Sequence, residues 1–294
     1  MAVRSGSNGR AVAARLTAVL WRGGSNLLLA LLALYILLPV VAVLLYGLAT
    51  RWTATPLPDG YTLRYWASAF EDSRIVGALG RSLLLAATTV VLDVIAVVPA
   101  LYAAHAGNRR IRVIAEVAAV IPFALPWVAI AFGILLLAGQ FTPALLGTPL
   151  LLALAYAALH FPFLYWAVDG AMSAVDIATL GEAAETCGAT RTQTICRIVL
   201  PNILGGIASG GILVFASSFG EFALVQMLVG GSFETLPLWS ADALGATAGK
   251  FPELAVVTFA TFILLFALSA LLVFGTGSQT VRLIPGGPAV ARKG

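Results

Sequence analysis

Residues Gly181–Pro201 read GEAAETCGATRTQTICRIVLP. The stretch is a polar island, long enough for two short helices, set between very hydrophobic segments. Asp176 stands where the N-cap of a first helix over Ile177–Cys187 belongs, with a carboxylate placed to accept a free amide hydrogen bond. Gly188 suits the left-handed residue that ends such a helix. Thr190 and Gln193 have the spacing of a capping box, which opens a second helix. Pro201 biases Leu200 away from helical geometry and predicts an end or a bend there. The island therefore predicts helix, tight turn, helix. Ala183 and Ala184 are small enough for another surface to come close. Glu182 and Glu185 share one helical face, where a basic partner would gain from both carboxylates. On these residues alone a docking face and a solvated amphipathic loop stand level.

The flanks decide the solvent. The chain of 294 residues is 60% hydrophobic and 10% charged, with a mean hydropathy of +0.98. Soluble domains carry about 25% charged residues. A soluble fold of this length could not hide so much apolar surface, so lipid must be the solvent for much of it. Crossing helices need about 20 mostly apolar residues. Six segments qualify: Asn26–Ala49, Ser82–Ala104, Val113–Ala138, Thr148–Val168, Leu204–Val229 and Leu254–Phe274. The expected fold is all-α, a polytopic integral membrane protein with six transmembrane helices over residues 26–276. Residues 169–203 form its main cytoplasmic loop, and residues 1–25 and 277–294 its tails.

Charge sets the orientation. With the N-terminus inside, twelve Lys and Arg residues fall on the cytoplasmic side and five outside. The net charge of +4 thus reports topology rather than nucleic-acid binding, and it places both termini and the Asp169–Asn202 loop in the cytoplasm. Arg4, Arg10, Arg15 and Arg22 precede the first apolar run. That run is too long for a signal-peptide core and contains Pro39, so it reads as a retained helix. The outer loop Arg51–Arg81 is amphipathic and aromatic, with Trp52 and Trp66 as candidate headgroup anchors. Cys187 and Cys196 form no C-x-x-C pair and read as reduced bystander thiols.

Catalytic chemistry is not visible in these residues. Gly245-Ala-Thr-Ala-Gly249-Lys250 mimics a phosphate-binding loop, but it has one residue too few between its glycines and no Ser or Thr after the lysine. His105 and His160 lie far apart with no ligand cluster, and no metal motif occurs. His160 is expected to bond a neighbouring helix. Glu116, four residues after Arg112, reads as a local ion pair.

Two acids fall inside the apolar segments. Asp93 lies near the bilayer centre, where an unpaired carboxylate costs at least ~2.5 kcal/mol. Glu221 lies about 25 Å along the fifth segment at 1.5 Å per residue. They either line a path for a cationic or zwitterionic solute or bond neighbouring helices; for Asp93 the second is favoured. Pro99, Pro122, Pro126 and Pro162 interrupt segments and could shape a gate or simply kink helices. Gly205, Gly206, Gly210 and Gly211 allow close helix approach in the fifth segment.

Glu182-Ala183-Ala184, then Gly188 after three residues, then Ile198, Leu200 and Pro201 after nine more, resembles the EAA loop of binding-protein-dependent ABC importer permeases, E-A-A-x3-G-x9-I-x-L-P. Every specified position agrees. The region Phe215–Leu238, with Gly220-Glu221-Phe222 and Glu234-Thr235-Leu236-Pro237-Leu238, is similar to the type I importer permeases of the molybdate, sulfate, polyamine, iron and thiamine group. Gly205 departs from the proline that many relatives carry there.

The resemblance implies a type I permease fold in the inner membrane of a prokaryote. It implies a coupling helix that docks in a cytoplasmic ABC ATPase dimer, with Glu182, Ala183, Ala184, Gly188, Leu200 and Pro201 as coupling residues. ATP and Mg would bind the ATPase, and this chain would hold no cofactor of its own. A second permease, homologous or identical, and an extracytoplasmic solute-binding protein complete the expected assembly. The fifth span lines the path in this family, which makes Ser209, Ser217, Ser218 and Glu221 lining candidates beside Asp93. The rival readings are an ion-gradient-driven transporter or channel and an integral-membrane enzyme. Both leave the EAA spacing unexplained.

Overall fold

The computed structural model describes residues 6–53, 55–245 and 250–275. The chain divides into two units, Met1–Ser68 with Phe251–Ala260, and Ala69–Lys250 with Thr261–Gly294. The tail 277–294 and most of the phosphate-loop mimic, residues 246–249, lie outside the described residues.

In the first unit, α1 (Gly6–Leu48) starts well before the apolar run, whose span is Gly24–Leu48. Leu27–Leu29, Leu31, Leu32 and Leu34–Leu38 apart from Tyr35 and Ile36 are leucines, and all these side chains are exposed, as a lipid-facing helix requires. The chain then folds back through an isolated bridge between Ala49 and Tyr61, with Thr62 N donating to Leu48 O at 2.7 Å. The start of α12 (Phe251–Gly275) lies so close to α1 that a Cβ on Gly47 would meet the Val256 backbone N at 3.3 Å. Trp66, a candidate headgroup anchor, packs edge-on against Phe259 with its indole nitrogen buried. Trp52 donates to Thr55 O at 2.8 Å.

The second unit opens with α3 (Ser73–His105), which follows the short α2 (Arg64–Glu71) and is capped by Asp72 Oδ1 accepting from Arg74 N at 2.8 Å. The expected third span, Val113–Ala138, is not one helix. It is α4 (Arg109–Ala124) and α5 (Trp127–Phe141), bent by 111°. Leu125 is extended because Pro126 follows it. Pro126 has no N–H to give the Pro122 carbonyl, and the Trp127 indole donates to that carbonyl instead, at 2.9 Å. Among the described residues, five helices are long and apolar enough to cross a membrane, or six with the bent pair counted as one span. Pro99, Pro122 and Pro162, expected to interrupt spans, lie inside continuous helices; Pro126 alone of the four breaks one.

The central helix is α6 (Pro149–Ala174), capped by Thr148 and packed against α3, α4, α9 (Leu200–Phe219) and α10 (Ala223–Leu228). Glycine lets α9 approach: a Cβ on Gly206 would stand 2.6 Å from Ala171 Cβ, and one on Gly210 would stand 2.9 Å from Leu164 Cα. Gly205 faces open space. The expected fifth span, Leu204–Val229, stops at Phe219, where Gly220 caps α9 and the chain breaks before α10. A 3₁₀ turn then leads to α11 (Leu236–Gly245).

Candidate functional site

The polar island folds as helix, turn and helix. Here α7 (Ile177–Thr186) ends in a Schellman turn, with Gly188 at φ +84°. Gly188 N donates to Glu185 O at 2.9 Å and Ala189 N to Ala184 O at 3.0 Å. The capping box of α8 (Arg191–Thr194) is complete: Gln193 N donates to Thr190 Oγ1 and Thr190 N to Gln193 Oε1. Asp176 departs from the expectation. It sits in the left-handed region at φ 47°, and its carboxylate accepts from the Thr179 hydroxyl at 2.7 Å rather than from an amide.

Pro201 neither ends the helix nor turns it extended. Leu200 is helical, and residues Ile195–Val199 form a π-helical turn that runs straight into α9. Leu200 N reaches back to Ile195 O, and the Asn202 side-chain amide donates to Ile198 O at 2.8 Å. Pro201 itself falls in the first turn of α9, directly after this wider turn, where a proline is tolerated.

Burial splits α7 into two faces. Ile177, Gly181 and Ala184 are buried, at helical spacing, toward the rest of the unit. Leu180, Ala183 and Cys187 form an exposed stripe, while exposed Glu182 and Glu185 share a separate face of the helix. Ala183 and Ala184, paired in the sequence reading, thus differ in burial: Ala183 is exposed and Ala184 is only 6% exposed. Leu180 escaped the sequence reading, although its i, i+3 spacing to Ala183 was available there. A cavity of about 720 Å³ separates α7 from the C-terminal end of α3, with Tyr102, His105, Asn108, Glu182 and Arg191 in its wall. Beside it His105 Nε2 meets Asp169 Oδ1 at 2.8 Å, so α3 and α6 end together. The two residues are 64 apart in sequence, and no local pattern announces the pair.

The structure disperses the pathway candidates. Asp93 is buried and walls an apolar cavity between α3, α4 and α6. Glu221 is not within the fifth span. Its Oε1 accepts from Leu224 N at 3.0 Å, capping α10, and its carbonyl accepts from the Tyr156 hydroxyl at 3.2 Å. Ser218 lies on the buried stripe of α9 with Ile203, Gly206, Gly210 and Val214. Ser209 and Ser217 are half-buried on a different face, in line with exposed Leu213. His160 does not bond another helix: its Nδ1 donates to Tyr156 O in its own helix at 2.9 Å, and its ring stands edge-on to Trp127. Arg112 and Glu116 form the expected local pair at 3.1 Å.

The N-terminal end of α3 carries an ion network that went unread in the sequence. Arg74 binds Glu234 and Asp242, and Arg81 donates through Nε to the Glu234 carbonyl. Among the described residues, no group of three or more His, Cys, Asp or Glu is placed to hold a metal ion.

Over residues 96–281 the chain matches the family described as "Binding-protein-dependent transport system inner membrane component". It is similar to the molybdenum transport system permease protein ModB of Mycobacterium bovis, 30% identical over 230 residues, which cover 74% of this chain and 84% of that one. A probable molybdenum ABC transporter permease protein of Haloferax volcanii is 30% identical over 222 residues, 73% of this chain and 76% of that one. The sulfate transport system permease protein CysT of Escherichia coli is 47% identical over a shorter 49 residues, 17% of this chain and 18% of that one. In fold, the chain is similar to a chain of a bacterial ABC transporter involved in the import of the acidic polysaccharide alginate. The TM-score is 0.65, with 95% of this chain and all of that one covered at 16% identity. Permeases of this kind work with an ATPase and a solute-binding protein. The chain therefore belongs to the binding-protein-dependent transport system inner membrane components, as a multi-pass permease subunit of a type I ABC importer.

Proposed function

We propose that this permease passes a molybdate- or sulfate-class oxyanion, and that α7 is the helix through which an ABC ATPase drives it. The two-faced burial of α7 carries the coupling half. Ile177, Gly181 and Ala184 fasten the helix to its own chain, while Leu180, Ala183 and Cys187 are left bare, with Glu182 and Glu185 together on a separate exposed face. A bare apolar stripe on such a helix fits an apolar groove on a partner. Glu182, Ala183 and Gly188 then belong to the docking side. Ala184, Leu200 and Pro201 transmit motion into the fold. ATP and Mg bind the ATPase dimer, a second permease completes the path, and both chain termini and α7 face the cytoplasm. Ser209 and Ser217, on the half-exposed face of α9, are the lining candidates.

The solute reading rests on relatives named for molybdenum that match over about three quarters of this chain, and on the local match to a sulfate permease. Molybdenum(VI) in neutral water is a tetrahedral dianion, like sulfate. A cationic solute would call for Asp93 and Glu221 as a shared acidic lining; Glu221 caps α10 and Asp93 faces a cavity between helices, which weighs against that lining.

The test is uptake by proteoliposomes holding this permease with its ATPase and binding protein. Radiolabelled molybdate should enter only with ATP, and sulfate should compete while spermidine does not. ATP-independent uptake would favour a gradient-driven carrier, and spermidine uptake would overturn the oxyanion reading.

A further inference from the structure

We propose that the cavity beside Asp93 is a binding site for a lipophilic amine, a single ammonium carried on a compact apolar body. Asp93 lies twenty residues into α3 and is 1% exposed. Its Oδ2 has no hydrogen-bond partner. In front of it lies a cavity of about 390 Å³, walled by Ala96, Leu101, Ala115, Ala157, Phe161 and Tyr165 among others. Among the described residues, no Lys, Arg or His lines it.

The chemistry of the wall selects the ligand. Ligand sites are mostly apolar concavities of roughly 300–1,000 Å³ with a few polar groups that set orientation. Among its described wall residues this one offers a single charged anchor, and that anchor is an acid. An anion would meet a like charge. A bare divalent metal ion would need several oxygen ligands and finds one carboxylate. A neutral apolar molecule would fill the space and leave the carboxylate unanswered. A cationic head on an apolar body answers both, because opposite charges attract strongly away from water. The rings of Phe161 and Tyr165 line the same space and favour a cation further. Such a ligand would bridge α3, α4 and α6, whose residues all contribute to the wall. The site is independent of the oxyanion reading and of the α7 docking face.

The probe is 1-aminoadamantane, with 1-adamantanol as its neutral counterpart of the same shape. Tritiated 1-aminoadamantane is titrated into the purified permease–ATPase complex in nanodiscs of zwitterionic lipid, against protein-free nanodiscs. Saturable binding is expected, with adamantanol competing at least tenfold more weakly. Asp93→Asn should lower affinity at least tenfold and Asp93→Glu should restore part of it. Ala157→Phe should abolish binding by filling the cavity with the carboxylate still present. ATP hydrolysis by each variant complex reports that it is assembled. Absence of saturable binding to the unaltered complex, equal competition by the alcohol, or unchanged affinity in Asp93→Asn would each overturn the proposal. Should Asp93→Asn fail to assemble, the amine–alcohol comparison and Ala157→Phe decide it.

Discussion

Arg74 holds Glu234 through two nitrogens, Nε at 3.0 Å and Nη2 at 2.7 Å, and the same Nη2 reaches Asp242 at 2.6 Å. One guanidinium thereby ties the N-terminal end of α3 to both the approach to α11 and α11 itself. Isolated exposed ion pairs contribute about 0–1 kcal/mol. A forked contact with two acids should exceed that, and the fork is what lysine lacks. Arg74→Lys is expected to lower the midpoint of thermal unfolding almost as far as Arg74→Ala does. The loss should shrink in high salt. Equal midpoints for Arg74→Lys and the unaltered chain would show that charge alone suffices.

The exposure of Ala183 and the burial of Ala184 allow docking and folding to be tested apart. Ala183→Leu should leave the permease folded and cut co-purification of the ATPase and ATP-driven uptake. Ala184→Leu should instead destabilise the permease itself, by about 1–3 kcal/mol for overpacking. Thermal unfolding of the isolated permease and pull-down of the ATPase are the two readouts. Normal uptake by an Ala183→Leu complex would end the docking assignment.

Gly206 and Gly210 make the seam between α6 and α9, and Gly205 beside them is free. Gly210→Ala forces a methyl group to within 2.9 Å of Leu164 Cα and should cost about 1–3 kcal/mol. Gly205→Ala has nothing to strike and should be neutral, or stabilising by up to about 1 kcal/mol through helix propensity. Thermal midpoints in one detergent compare the two. A destabilised Gly205→Ala with an intact Gly210→Ala would contradict the packing described.

Cys187 is an exposed thiol on the bare face of α7, which makes it a reporter of sidedness. In a Cys196→Ser background, a membrane-impermeant maleimide should label it in inside-out vesicles and not in intact cells. Bound ATPase should slow the reaction. Labelling from the cell exterior would reverse the proposed orientation.

Local chemistry was legible in the sequence wherever partners lie within a few residues. Thr190 and Gln193 form their box, and Gly188 takes the left-handed turn, because both features are decided inside one turn of chain. Rules that are equally local failed where a neighbour supplied an alternative. Leu200 stays helical before Pro201 because a π-turn leads into α9 and puts the proline in that helix's first turn. Hydropathy marked Val113–Ala138 as one span because it measures apolar content and carries no direction; Pro126 stood among four candidate kinks, and nothing local set its 111° bend apart from the unbroken helices at the other three. The Arg74–Glu234 and His105–Asp169 contacts bridge 160 and 64 residues. Only the packing of α3 against its neighbours brings those side chains together.

The π-turn at Ile195–Val199 holds one more residue than an α-helical path between the same points would use. Taking that surplus residue out should let a plain α-helical turn join the same points, with α7 and α9 still in place. Deleting a residue from a stretch with no such slack would instead turn everything upstream about the α9 axis by about 100° and draw it in by about 1.5 Å. The π-turn is thus a spot where this loop can change its length by one residue and keep its aim.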